Sequence, residues 1–465
     1  MLSKFKFIFL LFVGIFVRYV LLQYSYLLNY FDFINLRNPY NSWRNFKEGI
    51  ILHEYGIDPY DGDMFHENPI DLKLFSLLNR WIPNGIPYIF IVIQIITSLI
   101  IYQNGKLMIN FQKNFNLKWV YTSNIPLNLM ILYLYNPVNI LDCALLNSSV
   151  FQHLIVCTIL NFCLKGNLLV SSIVLSVLFL HSYNAMILVI PSSLILYYHS
   201  CHDNPFKKWI DLAHSPSAIS NDDDNDKNVN KYSNIMNIII VFTTLTFLFF
   251  ACLLLLCFYL SPHPSWKFLD NCFIQKFFIT DYTPNLGISW YTFAESFPHF
   301  QTFFLWMFRI PCFIYFIPLS IKYGSIDPIF LFYMFLILIV IFEPYPALGD
   351  MFFLLSFFPL WYKQLFPFMR QPLLYGCMFL ASITISPIIW YLWIYADTAN
   401  ANFYYGMSIL YTLSQILFLS DLIYAYNLRR FVLVLQIDDL DAINKGEKPI
   451  QLPKKDDIQF KFPFF

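Results

Sequence analysis

Two aspartates separated by one residue are the pair in this sequence whose spacing points most directly to chemistry. Asp61 and Asp63 form a DxD pattern, and carboxylates at this spacing can bind a divalent metal or act as a general base. The same segment is rich in turn residues, since Pro59 and Gly62 lie beside the two acids. A catalytic site and a plain turn are both consistent with this pattern.

The elements that must position these residues are membrane spans. The chain has 465 residues, of which 58% are hydrophobic and 12% are charged, a composition that excludes an ordinary soluble domain. Its formal net charge is zero, so no basic surface for nucleic acid is indicated. At about 20 residues per crossing, the apolar runs predict an all-α polytopic membrane protein with about 12 transmembrane helices.

One membrane domain is predicted to occupy residues 1–430, followed by a cytosolic tail at 431–465. Its first apolar run, 7–28, is too long for a signal-peptide core and precedes no small-residue cleavage site, so we expect a retained first span. Residues 29–84 then form a loop with interfacial helices. Residues 205–232 contain the stretch NDDDNDKNVNK and are predicted to be a disordered loop.

The distribution of lysine and arginine predicts the orientation of these segments. Basic residues near the N-terminus, beside the 205–232 loop and in the tail place all three on the cytosolic side. Two cytosolic termini require an even number of spans, which favours 12. The loop at 29–84 then faces the lumen.

Seven ionisable residues interrupt the apolar runs. A charge at the bilayer centre costs about 2.5 to 3.5 kcal/mol, so we expect each to face the bundle interior or a water-filled cavity. Two of them bracket the sequence EPYPALGD, which forms either a tight turn between spans or a broken helix lining a cavity. The seven are Arg18, Asp142, Glu295, Arg309, Glu343, Asp350 and Asp421.

The sequence contains few of the motifs that mark known enzyme classes. Lipid-dependent glycosyltransferases of the GT-C class have an acidic motif in the loop after the first span, where the DxD lies. No GxSxG, HExxH, P-loop or Rossmann fingerprint is present, and the nine cysteines form no CxxC pair, so no cofactor, metal site or disulfide framework is predicted. A transporter is disfavoured because neither repeated halves nor matching broken helices are evident.

Several sequence blocks, in order along most of the chain, resemble one family. It is the PIG-U family, the class U subunit of the glycosylphosphatidylinositol (GPI) transamidase complex. The Thr-Pro-Asn and Ala-Asn-x-Asn-Phe blocks are the most specific. The blocks are NSWRNFKEG at 41–49, GIDPYDGDMFHENPI at 56–70, TPNLGISWYTFAESFPHF at 283–300, YPALGDMFFLLSFFPLW at 345–361, WYLWIYADTANANFYYG at 390–406 and QILFLSDLIYAYNLRR at 415–430.

The resemblance implies a non-catalytic subunit in the endoplasmic reticulum membrane. On a GT-C-like scaffold it would bind the GPI lipid and present it to a caspase-like cysteine protease subunit, alongside the other membrane subunits of the complex. The family pattern does not require acids at Asp61 and Asp63, which weakens the catalytic interpretation. The rival is a GT-C glycosyltransferase that uses a dolichyl-phosphate sugar.

Topology and resemblance together predict where the lipid headgroup binds. Asn400 and Asn402 match lumenal asparagines of the family, and their amides can bind phosphate and sugar hydroxyls without adding negative charge. Capping of the final helix is the alternative role for these residues. Further candidates come from neighbouring segments, where packing between helices is the alternative for the aromatic residues: Asn285, Trp290, Tyr291, Glu295, Trp390, Trp393 and Tyr395.

Overall fold

The structure is a computed structural model. It describes residues 2–24, 40, 42–62, 64–82, 85–114, 124–200, 222–262 and 264–444. Every regular element in these ranges is helical, so the all-α prediction is confirmed.

The helices follow one another with short connections. The first nine are α1 Leu2–Gln23, α2 Trp43–Glu54, α3 Pro69–Trp81, α4 Ile86–Asn114, α5 Ile125–Leu134, α6 Pro137–Ala144, α7 Ser149–Leu164, α8 Leu168–His181 and α9 Val189–Ser200. The remainder are α10 Asp222–Leu260, α11 Ser289–Glu295, α12 Pro298–Tyr323, α13 Pro328–Ile341, α14 Leu348–Leu355, α15 Pro359–Leu365, α16 Pro372–Ile394 and α17 Ala401–Asn444. Short helical turns at 267–278 precede α11.

Long apolar helices make this a multi-pass membrane protein. Five of the described helices are long and apolar enough to cross a bilayer, within α4, α10, α12, α16 and α17. A sixth candidate is the pair α6 and α7, which meet at a bend of 119°. Further apolar helices, including α5, α8 and α13, are shorter than a full crossing.

The centre of the bundle is α13. This helix is apolar on all sides, and every residue from Pro328 to Leu338 is buried, which is typical of a helix surrounded by other helices. Its start is fixed by a proline at the first position and by Asp327, whose side chain accepts a hydrogen bond from the Phe330 N–H at 3.0 Å. The surrounding helices therefore pack around α13.

Most charges predicted to avoid lipid do face the interior. Arg18 donates to Gln94 and to the Gly14 carbonyl. Asp142 accepts from Asn147 at 2.7 Å, and Asp421 accepts from backbone N–H groups at the start of α16. These contacts give each buried charge a partner inside the protein, while Arg18 Nη2 and Asp142 Oδ2 have no hydrogen-bond partner among the described residues.

Glu295 departs from that expectation. It lies at the end of α11 and is exposed. The reason is that α11 has seven residues, too few to be a span, so its last turn does not enter the bundle. The prediction that this carboxylate faces the interior is wrong.

Four connections meet at one end of the bundle. Asn271 in the 267–278 turns donates to the Gly62 carbonyl at 2.7 Å. Tyr345, between α13 and α14, donates to the Asp281 carbonyl at 2.8 Å. Tyr291 on α11 donates to Asn402, at the start of α17. The 267–297 segment therefore contacts the loop before α3, the break between α13 and α14, and the start of α17.

Two segment boundaries differ from the sequence-based expectation. Of the loop predicted to be disordered, residues 205–221 lie outside the described residues, whereas 222–232 form the first turns of α10. Helix α17 continues past 430 to Asn444, into the predicted tail. Helical structure therefore extends beyond the apolar sequence at both places.

A test of the packing lies at Gly349 in α14. A Cβ at this position would overlap the Asp142 carboxylate, so Gly349→Ala should destabilise the protein by about 1 to 3 kcal/mol through overpacking. Thermal unfolding of the detergent-purified protein measures this change. The matched control is Gly376→Ala in α16, where a Cβ meets no atom within 4 Å; equal melting temperatures for the two variants would contradict the packing.

Candidate functional site

An aromatic cluster joins α11 to the turn between α16 and α17. Trp290 is only 3% exposed and stacks against Trp393 with ring centroids 6.4 Å apart. Tyr404 and Tyr405 pack on other sides of the indole at 6.0 and 6.1 Å. Of the predicted site residues, Trp290 and Trp393 are therefore in direct contact, although they are 103 positions apart in sequence.

Asn400 has the geometry of the alternative role, the cap of the final helix. Its side-chain oxygen accepts hydrogen bonds from the backbone N–H groups of Asn402 at 3.1 Å and Phe403 at 3.4 Å. This is an N-cap of α17. The side chain is exposed, and its amide nitrogen makes no hydrogen bond to the described residues, so it stays available to a ligand.

Asn402 is held by a tyrosine. Its side-chain oxygen accepts a hydrogen bond from the Tyr291 hydroxyl, and the Tyr291 ring stacks on Tyr405 at 4.5 Å. The tyrosine fixes which way the amide faces, because the oxygen is the acceptor in this bond and the nitrogen must then lie on the other side. Asn402 is exposed, so this NH₂ group is presented outward.

Asn285 is buried and holds the turn before α11 in place. It is 1% exposed, and its side chain donates to the Thr283 carbonyl at 3.1 Å and accepts from the Gly287 N–H at 2.6 Å. Its own carbonyl accepts from Ser408 on α17 at 2.9 Å. This residue shapes the turn before α11 and ties it to α17, so Trp290 is held in place.

The DxD segment has the contacts of a turn. Asp58 accepts a hydrogen bond from the Tyr60 N–H at 3.0 Å and caps a short 3₁₀ turn, Pro59–Asp61. Asp61 pairs with Lys267 at 2.5 Å, with both side chains more than half exposed, and this carboxylate raises the pKa of Lys267. Asp63 lies outside the described residues.

A cluster that the sequence analysis missed lies on the inner side of the same loop. Glu67, Asp71 and His181 have ligand atoms within 4.8 Å of one another. Burial, and secondarily the Asp71 carboxylate, raises the pKa of Glu67 to about 8. Glu67 is therefore largely a neutral acid near pH 7. His181 Nδ1, at the end of α8, lies 3.6 Å from Asp71 Oδ2 on α3. Glu67 and Asp71 are four positions apart, but His181 lies far from both in sequence, so no sequence pattern marks the cluster.

The EPYPALGD segment lines a cavity, one of the two alternatives for this break. The cavity has an empty volume of about 700 Å³ including its mouth. Its polar lining includes Glu343, which pairs with Lys276 at 2.8 Å, and Asp350, which contacts His153 at 2.9 Å. Sequence analysis singled out both acids; their partners His153 and Lys276 were missed, because each lies in a distant helix.

The fold and the site define an all-helical, multi-pass membrane protein with amide and aromatic groups presented at one end of its bundle. The profile of the family described as GPI transamidase subunit PIG-U matches residues 12–411. Because that match spans most of the sequence, the chain belongs to the PIG-U family. The resemblance inferred from the sequence blocks is confirmed.

Individual relatives agree with this assignment. The human GPI-anchor transamidase component PIGU is 28% identical over 420 residues, which cover 86% of this chain and 88% of that protein. The GPI transamidase component GAB1 of Saccharomyces cerevisiae is 29% identical over 395 residues, covering 84% and 86%. These names describe components of a transamidase, in agreement with a non-catalytic subunit; they give no support to the glycosyltransferase alternative.

The raised pKa of Glu67 predicts a pH dependence of stability. In the unfolded chain this acid ionises near its ordinary value of 4.5, whereas in the folded protein it ionises near 8. Between these values the folded state binds more protons, so stability falls as pH rises.

Glu67→Gln, which mimics the neutral acid, should reduce the loss of stability that accompanies the rise in pH. Melting temperatures of the wild type and the variant between pH 5 and 8.5 measure the effect, with Glu48→Gln on the exposed face of α2 as the control. A wild-type slope that persists unchanged in Glu67→Gln would show that Glu67 is already ionised in the folded protein.

Proposed function

We propose that this chain is the subunit of a GPI transamidase complex that binds the GPI lipid and presents it for attachment to protein C-termini. It acts in the endoplasmic reticulum membrane beside a caspase-like cysteine protease subunit. The observation that supports this proposal is the pair of exposed amides at Asn400 and Asn402 beside the aromatic cluster of Trp290 and Trp393.

The chemistry of the amides suits an anionic glycolipid. Asn400 and Asn402 each use the side-chain oxygen within the protein, which leaves NH₂ donors for phosphate oxygens and sugar hydroxyls. Carboxylates at these positions would repel phosphate, whereas amides do not. Aromatic faces such as that of Trp393, which is half-buried, pack against the apolar faces of sugar rings.

A scaffold of about 12 spans, related to GT-C enzymes, accompanies this function. Helices α1, α7, α8, α9 and α13 each supply a short crossing, and the pairs α5 with α6 and α14 with α15 each supply a broken one. In this proposal the 119° bend between α6 and α7 separates two crossings. Together with the five long helices these make 12. Short crossings inside a bundle are tolerated where neighbouring helices satisfy the backbone.

The same count supports the orientation. With cytosolic termini, an even number of crossings brings the connection between α16 and α17 to the lumen, together with the segment before α11 that contacts it. In this arrangement residues 1–430 form the membrane domain, 29–84 its lumenal loop, and 431–465 the tail on the cytosolic side.

Asn402→Ala tests the amide as a ligand. It should lower GPI attachment in cells at least tenfold, since a lost hydrogen bond to a charged group costs about 1.5 to 3 kcal/mol. The matched control is Tyr291→Phe, which removes the same internal hydrogen bond and retains the amide. Surface display of a GPI-anchored reporter, with complex assembly checked by pull-down, provides the measurement. Equal defects in both variants would show that Asn402 acts through Tyr291 alone.

Asn400 needs a variant that separates capping from binding. Asn400→Asp keeps an equally good N-cap and adds a negative charge, so it should leave assembly intact and reduce attachment through repulsion of phosphate. The reporter assay above measures this, with GPI retained by the purified complex as a second measurement. Normal attachment in Asn400→Asp would restrict this residue to its capping role.

A further inference from the structure

A second cavity lies between α14 and the hairpin formed by α16 and α17. Its volume is about 580 Å³ including its mouth, within the range of about 300 to 1,000 Å³ that is usual for small-molecule sites. It lies near the start of α16, whereas the headgroup site lies at the end of α16 and the start of α17. The two sites are therefore at opposite ends of the hairpin.

The walls of this cavity favour apolar contents. They are formed largely by Met351, Leu355, Phe358, Met369, Phe379 and Phe418, and flexible methionine side chains adapt to ligands of irregular shape.

The polar residues of the wall offer little to a polar ligand. Two hydroxyls are used within the protein: Tyr375 donates to the Met369 sulfur at 3.3 Å, and Ser414 donates to the Tyr411 carbonyl at 2.7 Å. The third polar residue, Gln415, is 1% exposed and adjoins Tyr411, toward the middle of α17. A ligand that enters from the start of α16 therefore meets an apolar surface first.

The mouth of the cavity opens toward lipid. Phe366, which lines the cavity, is 40% exposed, and the first exposed residues of α16 beside it are Leu373 and Leu374, at 80% and 49%. Because α16 is long and apolar enough to span the membrane, these leucines face acyl chains. A helix with its side chains is about 10 to 12 Å wide, so this volume would hold only about one turn of a partner helix. A thin acyl chain fits it better.

An arginine lies at this mouth. Arg370 directly follows Met369 of the wall, and its guanidinium stacks on the Tyr424 ring, with Cζ 3.6 Å from the centroid. Tyr424 is six positions beyond Phe418, about 9 Å further along α17, so the guanidinium lies outside the apolar walls. Across the described ranges this guanidinium forms no ion pair, and the buried Tyr424 hydroxyl has no hydrogen-bond partner. Both groups can donate to a ligand.

The charge available at the mouth is positive. Asp421 is the acid that contacts this segment, and its two oxygens accept from the backbone N–H groups of Arg370 at 3.0 Å and Gln371 at 3.3 Å. This carboxylate is therefore turned toward the backbone, and Arg429 and Arg430 follow within the next two turns of α17. An anion complements such a surface, and the planar fork of arginine suits phosphate in particular.

We propose that this cavity holds one acyl chain of an anionic glycerophospholipid, whose phosphate binds Arg370 and the Tyr424 hydroxyl. The lipid belongs to the leaflet opposite the one that the headgroup site at Asn402 faces, since the two sites lie at opposite ends of α16 and α17. No residue is shared between them, and the lipid site does not depend on the proposed function.

The test measures lipid binding to the full-length protein purified in detergent. The probes are dioleoylphosphatidylglycerol, which is anionic, and dioleoylphosphatidylcholine, which has the same chains and no net charge; native mass spectrometry gives their affinities. The wild type should prefer the anionic lipid by about tenfold, the range expected for a hydrogen bond to a charged group. Arg370→Gln should remove this preference, and Tyr424→Phe should weaken binding of the anionic lipid severalfold.

The control for general surface charge is Lys322→Gln. Lys322 is exposed at the same end of the bundle, where the neighbouring Tyr323 donates to Asn427 on α17. This variant should keep the preference for the anionic lipid.

A cavity-filling variant tests the acyl chain separately. Gly376 lines the cavity, and a Cβ at this position meets no atom within 4 Å. Gly376→Leu should therefore weaken binding of both probes severalfold, whereas Gly376→Ala, which fills little of the space, should bind both as the wild type does.

Four results would overturn the proposal. They are equal affinity of the wild type for the two probes, an unchanged preference in Arg370→Gln, a loss in Lys322→Gln as large as that in Arg370→Gln, and unaltered binding in Gly376→Leu. Asn402→Ala should leave the preference as it is in the wild type, so failure of the headgroup site and failure of this lipid site are distinguishable.

Discussion

The break in the helix between α13 and α14 is the constraint on which the functional end of the molecule depends. Non-helical backbone within a membrane bundle is tolerated only where protein groups or a lined cavity satisfy it. Here the Pro344 carbonyl accepts from Ser289, Tyr345 donates to the Asp281 carbonyl, and Gly349 allows Asp142 to approach. The same contacts that satisfy the break also hold α11 and its aromatic cluster against the bundle.

From this break the site extends outward in two directions. Toward the bundle interior lie the ion pair of Lys276 with Glu343 and the contact of His153 with Asp350. Toward the connection between α16 and α17 lie Trp290 and the amide of Asn402. Both regions therefore depend on one short segment.

Much of this could be predicted from the sequence. The apolar composition predicted a helical membrane protein. The cost of placing a charge in lipid predicted that Arg18 and Asp142 lie inside the helix bundle. The blocks around Trp290 and Asn402 identified the family, and the binding site they indicate stays a prediction. What sequence patterns do not contain is pairing between distant positions, so the contacts of His153 with Asp350 and of Glu67 with His181 emerged only from the fold. Glu295 was misplaced because a short helix outside a span looked like part of one.

The central claim is tested most directly by purifying the tagged protein in a gentle detergent and identifying co-purifying proteins and lipids by mass spectrometry. We expect a caspase-like cysteine protease subunit together with retained GPI lipid. A protein that purifies alone, with transferase activity toward a dolichyl-phosphate sugar, would contradict it and would return Asp61 and Asp63 to a catalytic role.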